Sequence, residues 1–261
     1  MLKNESKMNR WFALESNPEV MNQYAEKLGL NTSKSAFFDV LSTEGTDFIY
    51  VMRSSDEILT ILILLLQILE WALDMVPKPI FAVVMLFPIN NKTEEIRLEE
   101  EQRIISTGQI LSPNIYFMKQ TVDNACGTVG IFHALGNARN EIEIREGSYL
   151  DKFFSRTCNM NPNVIADYFA HDDELEATHE SAAVAGQSAP QQDDVDTHFI
   201  CFSCVDGHLY ELDGRKNFPI NHGVSSQDTL LQDSCRVVRE RFMAVNPEEM
   251  RFTILALANA A

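Results

Sequence analysis

The run 120–130 reads QTVDNACGTVG and carries one cysteine, Cys126, with a side-chain amide, Gln120, just upstream. Further along, His198 and Asp213 fall in the run 197–213, THFICFSCVDGHLYELD, which is two apolar stretches about Asp206-Gly207. An amide, a thiol, an imidazole and a carboxylate are what a thiol hydrolase needs: oxyanion donor, nucleophile, base and the group that orients the base.

Each residue type gains meaning from its neighbours. Val129, Ile131, Phe132 and Leu135 give the stretch after Cys126 the look of a helix, with Asn124 as its expected cap. Cys126 then lies in the first turn, where unpaired N–H groups and the helix dipole stabilise a thiolate. Gly127 and Gly130 would weaken an ordinary helix, and suit a place where backbone or substrate must approach closely. A free cysteine is more often buried and inert, so the thiol alone decides nothing. Gln120 changes that: an amide beside the cysteine's own N–H forms an oxyanion hole, and one such donor contributes ~2.7–4 kcal/mol to transition-state stabilisation.

His198 and Asp213 can be placed relative to each other. Asp206-Gly207 signals a two-residue hairpin turn. With that turn, His198 faces Arg215 and Asp213 faces Ile200. Asp213 is then a diagonal neighbour of His198 on one sheet face, about 7–8 Å away at the backbone and within side-chain reach. Asp213 can hold one ring nitrogen while the other addresses the thiol. Cys201 and Cys204 form a C-x-x-C pair, but no second pair stands at zinc spacing. On a strand the two point to opposite faces, which disfavours both a metal site and a disulfide.

The elements that must position these groups are partly legible. Asn17-Pro18-Glu19 starts a helix with a cap, a proline at the first helical position and an acid facing the dipole. Val20, Tyr24 and Leu28 give it an apolar stripe, and Gly29 ends it. The stretch 37–41 reads as a short strand, and 81–86 as a buried strand closed by Pro88. A charged helix is expected over 93–106, and a helix broken at Pro162 over 151–170. The stretch 180–196 is rich in Ala, Ser, Gln, Gly and Asp and reads as a long loop, a lid over the site or else a linker. A last strand is expected over 252–257. The run 58–69, ILTILILLLQIL, is strongly apolar, yet a membrane span needs ~20 such residues. Gln67, Glu70 and Asp74 interrupt any extension, so no membrane span is expected.

Composition sets outer limits. The 261 residues carry 38 acidic and 21 basic side chains, a formal net charge of −17. Nucleic acid is an unsuitable partner, because phosphate neutralisation needs Lys and Arg patches. A basic protein or peptide partner is favoured by electrostatic steering. Five cysteines are too few, and odd in number, for a disulfide framework. The start MLKNESKM lacks the apolar run of a signal peptide, and a cytoplasmic location is expected.

Taken together, the chain resembles the ubiquitin carboxyl-terminal hydrolases, most of all their small single-domain L-type members. The matching runs are NPEV at 17–20, MVP at 75–77, YFMKQT at 116–121, NACGT at 124–128, THES at 178–181, HFI at 198–200, VDGHLYELDGR at 205–215 and FPINHG at 218–223. They span nearly the whole chain as a single catalytic domain. The resemblance implies an α/β, papain-like cysteine peptidase fold, with a central β-sheet flanked by helical lobes and a knotted backbone. It implies Gln120 as oxyanion donor, Cys126 as nucleophile, His198 as general base and acid, and Asp213 as orienter, with no cofactor and no metal. It makes 180–196 a crossover loop that limits substrates to small adducts able to thread beneath it. It places ubiquitin contacts at 13–18, 183–189 and 249–254, with Leu14, Glu15, Asn17, Ala183, Gln187 and Met250 as the contacting residues. The expected partner is ubiquitin, whose basic carboxyl-terminal tail suits the acidic charge; closely related ubiquitin-like modifiers are left open, and a monomer is expected. One block, 43–69, departs from the family pattern and reads as a translated intron, or else as a lineage-specific insertion. A catalytically impaired ubiquitin-binding isoform is the alternative that this block raises.

Overall fold

The computed structural model describes residues 10–42, 73, 75–187, 195–245, 249 and 251–260. The strands are β1 (Ser35–Ser42), β2 (Ile80–Pro88), β3 (Thr197–Val205), β4 (His208–Leu212), β5 (Ile220–Val224) and β6 (Thr253–Asn259). They pair antiparallel in one sheet, in the order β1-β6-β2-β3-β4-β5. Among the described residues the helices are α1 (Pro18–Leu28), α2 (Asn91–Thr107), α3 (Cys126–Ala138), α4 (Tyr149–Thr157), α5 (Pro162–Ala170), α6 (Asp173–Val184) and α7 (Leu230–Arg241). The expected α/β architecture, a central sheet between helical layers, is what forms.

The lack of polar alternation in β2 has a physical reason, since both of its faces are covered. Ala82 and Val84 join Tyr24, Phe37, Phe132, Phe153 and Phe169 in the larger core, under α1 and α3 to α6. Val83, Met85 and Phe87 join Ile200, Phe202, Leu231 and Val238 in the smaller core, under α7. Pro88 cannot donate to a ladder and ends the strand. Asn90 then starts α2 with a capping box, its side chain accepting from Lys92 N and Thr93 N at 3.0 Å each. α1 begins as its sequence dictates: Asn17 Oδ1 accepts from Glu19 N at 2.8 Å, Pro18 is the first helical residue and Gly29 follows the last. Such a cap contributes about 1 kcal/mol.

The β3–β4 hairpin carries His198. Asp206 and Gly207 both take left-handed conformations, with φ of 49° and 76°, as a two-residue primed turn requires. The register runs from Val205 opposite His208 to Cys201 opposite Leu212. One step further places Asp213 across from Ile200, the arrangement expected from the turn alone. Cys201 packs into the larger core and Cys204 against the smaller one, so the pair faces opposite sides of the sheet.

Two expectations change. The stretch 151–170 is two helices rather than one with a kink: α4 ends at Thr157, and Asn161 caps a new helix whose first residue is Pro162. The loop expected over 180–196 starts later, because α6 continues through Val184. Its residues 188–194 lie outside the described residues, as do 43–72, which include the atypical block and its apolar run. Among the described residues no helix is long and apolar enough to cross a membrane.

Candidate active site

Cys126 is the first residue of α3 and is 9% exposed. Asn124 is not the cap that the sequence suggests. Its amide donates instead to the Trp11 carbonyl at 3.0 Å, and its backbone is left-handed, with φ of 62°. Ala125 occupies the cap position without a side-chain bond. The helix start is therefore left uncapped, with donors available for an anion. The thiol draws on one of them, at Gly127, and on the Phe199 N–H of β3: burial pushes its pKa up, but the bond to His198, that residue's charge and these two N–H groups outweigh burial and bring it below its ordinary value.

His198 and Asp213 are 3% and 2% exposed. His198 Nε2 lies 2.7 Å from Asp213 Oδ1, which leaves Nδ1 for the thiol. The Phe87 ring meets the imidazole edge-on at 5.9 Å and shields it. Burial alone would lower the His198 pKa. The Asp213 charge and hydrogen bond, with a smaller share from Cys126, overcome that and raise it to about 9. Burial would raise Asp213, yet the imidazole's charge and bond, the Lys216 charge and the Arg215 N–H hold it well below the usual carboxylate range. The row Cys126–His198–Asp213 thus favours thiolate, imidazolium and carboxylate together. Behind it Lys216 is buried between Glu211 at 2.5 Å and Glu100 at 3.0 Å, and Glu211 also meets His222 Nε2 at 2.9 Å.

Gln120 is joined to the Asp213 side of the site rather than left in an open loop. Its backbone N–H donates to Gly214 O at 2.9 Å. Its side-chain nitrogen donates to Val122 O at 3.1 Å, and its Oε1 is buried with no hydrogen-bond partner. Lys119 Nζ reinforces the seam, donating to Lys216 O at 2.6 Å and Asn217 Oδ1 at 3.1 Å. A Cβ on Gly214 would stand 2.9 Å from Gln120 Cβ and 3.0 Å from Val129 Cγ1. Only glycine lets the two segments close to this distance. Neither Gly214 nor Lys119 stood out in the sequence, where adjacency to Asp213 and Gln120 was the one available signal.

The residues expected to touch a partner are distributed unevenly. Leu14 is buried against Gly127, where an added Cβ would stand 3.0 Å from Leu14 Cβ. The Glu15 carboxylate lies over Gly186. The Asn17 side-chain oxygen is committed to capping α1. Ala183, expected at a partner's surface, is only 3% exposed and packs in the larger core, because α6 extends further than its composition suggested. Gln187 is exposed, and Met250 lies outside the described residues.

With this geometry in view, the family model described as ubiquitin carboxyl-terminal hydrolase, family 1, matches residues 11–244. The chain belongs to that family. Ubiquitin carboxyl-terminal hydrolase 3 of Arabidopsis thaliana is 44% identical over 253 residues, 97% of this chain and 96% of that protein. Isozyme L1 of Rattus norvegicus is 40% identical over 248 residues, 95% of this chain and 98% of its own. Among solved structures, the catalytic domain of Trichinella spiralis UCH37 bound to ubiquitin vinyl methyl ester matches with a TM-score of 0.63 and 19% identity, over 95% of each chain. That likeness shows the fold. As a family member the chain is a cysteine peptidase of the ubiquitin carboxyl-terminal hydrolase type.

Proposed function

We propose that this hydrolase cleaves ester, thioester, amide and peptide bonds at the carboxyl-terminal glycine of ubiquitin and releases small adducts. The observation that carries the proposal is the buried row Asp213–His198–Cys126 at an uncapped helix start. The Cys126 thiolate attacks the glycine carbonyl carbon, and the carbonyl oxygen becomes an oxyanion. The Cys126 N–H and a Gln120 amide N–H donate to it. Collapse breaks the bond to the adduct, and the His198 imidazolium supplies the proton its leaving atom needs. A thioester between ubiquitin and Cys126 is left. Neutral His198 then takes a proton from water as the oxygen attacks the thioester carbon, the C–S bond breaks to return the Cys126 thiolate beside the His198 imidazolium, and the carboxylic acid formed loses its proton to solvent. These steps use the chain's own groups and water.

Ubiquitin would dock beside Leu14, Glu15, Asn17 and Gln187, with its basic carboxyl-terminal tail drawn by the net charge of −17. The protein would work as a cytoplasmic monomer. A ubiquitin carrying a vinyl methyl ester at its carboxyl terminus tests the proposal. Covalent labelling mapped to Cys126 is expected. Stable binding without labelling would support the alternative, a chain that holds ubiquitin without turning it over.

Two variants test the oxyanion side. Gln120→Ala is expected to lower kcat by ~10²–10³ with little change in ubiquitin affinity, because the donor acts on charge that develops only during reaction. A change confined to KM would assign Gln120 to binding instead. Gly214→Ala should fold, since only local side chains and one backbone segment need move. Its kcat should fall on the order of 10²-fold, the usual penalty for misplacing a catalytic group by about 1 Å. Unaltered kcat in a folded Gly214→Ala protein would show that the seam does not set the geometry.

A further inference from the structure

Buried polar groups that the reaction leaves unused form one continuous chain. Tyr24 Oη lies 3.0 Å from Thr128 Oγ1, and Thr128 Oγ1 lies 2.7 Å from His179 Nδ1. The other ring nitrogen of His179, Nε2, lies 2.6 Å from the Phe12 carbonyl oxygen. A carbonyl only accepts, so Nε2 carries the ring proton and donates. Burial keeps this imidazole neutral, with its pKa down at about 4. Nδ1 therefore accepts from the Thr128 hydroxyl, and the Tyr24 hydroxyl donates to Thr128. Every donor and acceptor role in the chain is fixed.

The chain joins four parts of the molecule. Tyr24 belongs to α1, and Thr128 to α3, two residues beyond Cys126. His179 belongs to α6, the helix that leads to Gln187. Phe12 belongs to the segment that goes on to Leu14 and Glu15. That segment runs along the cysteine loop: Trp11 N donates to Asp123 O at 3.0 Å, and the Trp11 ring lies 4.5 Å from the His179 ring. None of the four groups is among those assigned a part in the reaction.

We propose that Thr128 and His179 are positioning residues for substrate capture, holding segment 11–17 and the end of α6 against the nucleophile helix so that the docking surface exists before ubiquitin arrives. The inference rests on the assignment of that surface to ubiquitin made above. Its physical basis is preorganisation: a surface already ordered spares binding the entropy of ordering it. A surface ordered only part of the time weakens apparent affinity by that fraction. The effect falls on KM and on ubiquitin affinity, and spares kcat.

Thr128→Val keeps the side chain's shape and removes its hydroxyl. It should raise KM, and the ubiquitin Kd measured in a Cys126→Ser background, by about tenfold. It should leave kcat within about twofold of wild type. Thr128→Ser should restore wild-type KM. A control exists elsewhere in the core, where Tyr116 Oη lies 2.9 Å from Thr157 Oγ1 in an equally buried contact. Thr157→Val should lower Tm as Thr128→Val does, yet leave KM and Kd unchanged. Wild-type KM and Kd in Thr128→Val would overturn the inference. So would a loss of kcat at constant KM, or an equal rise of KM in Thr157→Val. A wild-type protein that neither binds nor cleaves ubiquitin would overturn the proposed function itself, and that outcome is read before any variant is made.

Discussion

Replacing Cys126 with serine is expected to lower hydrolysis of a ubiquitin carboxyl-terminal ester by more than about 10⁴-fold while leaving ubiquitin binding intact. The structure offers little else that could attack a carbonyl at this place. The other described cysteines are Cys158, which is exposed, Cys201 and Cys235, which are buried, and Cys204, which is half-buried. Burial pushes the Cys201 thiol up to about 12 and the Cys235 thiol up to about 11, so both stay protonated and inert. Cys126, by contrast, has its pKa brought down by the His198 bond and charge and by the N–H groups of Phe199 and Gly127. A serine hydroxyl at the same place has no comparable anion to offer near neutral pH. Steady-state hydrolysis of an ester substrate, together with calorimetric titration of ubiquitin, checks both halves. Near-normal turnover in the serine variant would end the thiol mechanism, and lost binding would show that Cys126 shapes the docking surface as well.

Asp213→Asn should cost up to about 10⁴-fold in kcat, the loss seen when the orienting carboxylate of such a row becomes an amide. Its pH dependence should change too, and the sign follows from the balance at His198. In the wild type the carboxylate raises His198 to about 9 against the pull of burial. The imidazolium then persists through neutral pH beside a thiol whose pKa is lowered, and kcat/KM should fall as pH rises past about 9 and His198 loses its proton. Without the carboxylate, burial wins and the His198 pKa drops, so the alkaline fall moves to lower pH. The thiol loses its cationic neighbour, its pKa rises, and the acid limb moves to higher pH. The active window narrows from both sides. A pH profile of kcat/KM from acid to alkaline buffers reads this directly. A variant profile with both limbs unmoved would mean that Asp213 does not control the charge state of His198.

Much of the site was legible in the chain itself. The hairpin register follows from two facts that need no tertiary information. Side chains on a strand alternate with period two, and Asp206-Gly207 admits a turn of one length. His198 and Asp213 therefore had to share a face, and they do, at 2.7 Å. The start of α1 was equally local: a cap, a proline and an acid act within one turn. The place of Cys126 at the start of its helix followed from the apolar pattern of the residues after it.

What the chain could not settle were competitions among distant partners. Asn124 is a good cap by type, but the chain turns into the left-handed region there and the cap position falls one residue later, on Ala125, whose side chain cannot cap. The end of α6 has good helix formers in Glu180, Ala182 and Ala183, and which face they turn inward, burying Ala183 in the larger core, depends on the tertiary contacts. The approach of Gln120 to Gly214 depends on two segments far apart in sequence meeting without a side chain between them. The Tyr24–Thr128–His179–Phe12 chain joins residues from four separate stretches. Local rules reach a turn of helix or the facing residue of a strand. Which buried donor finds which acceptor is settled only when the core closes and no polar group can be left without a partner at low cost.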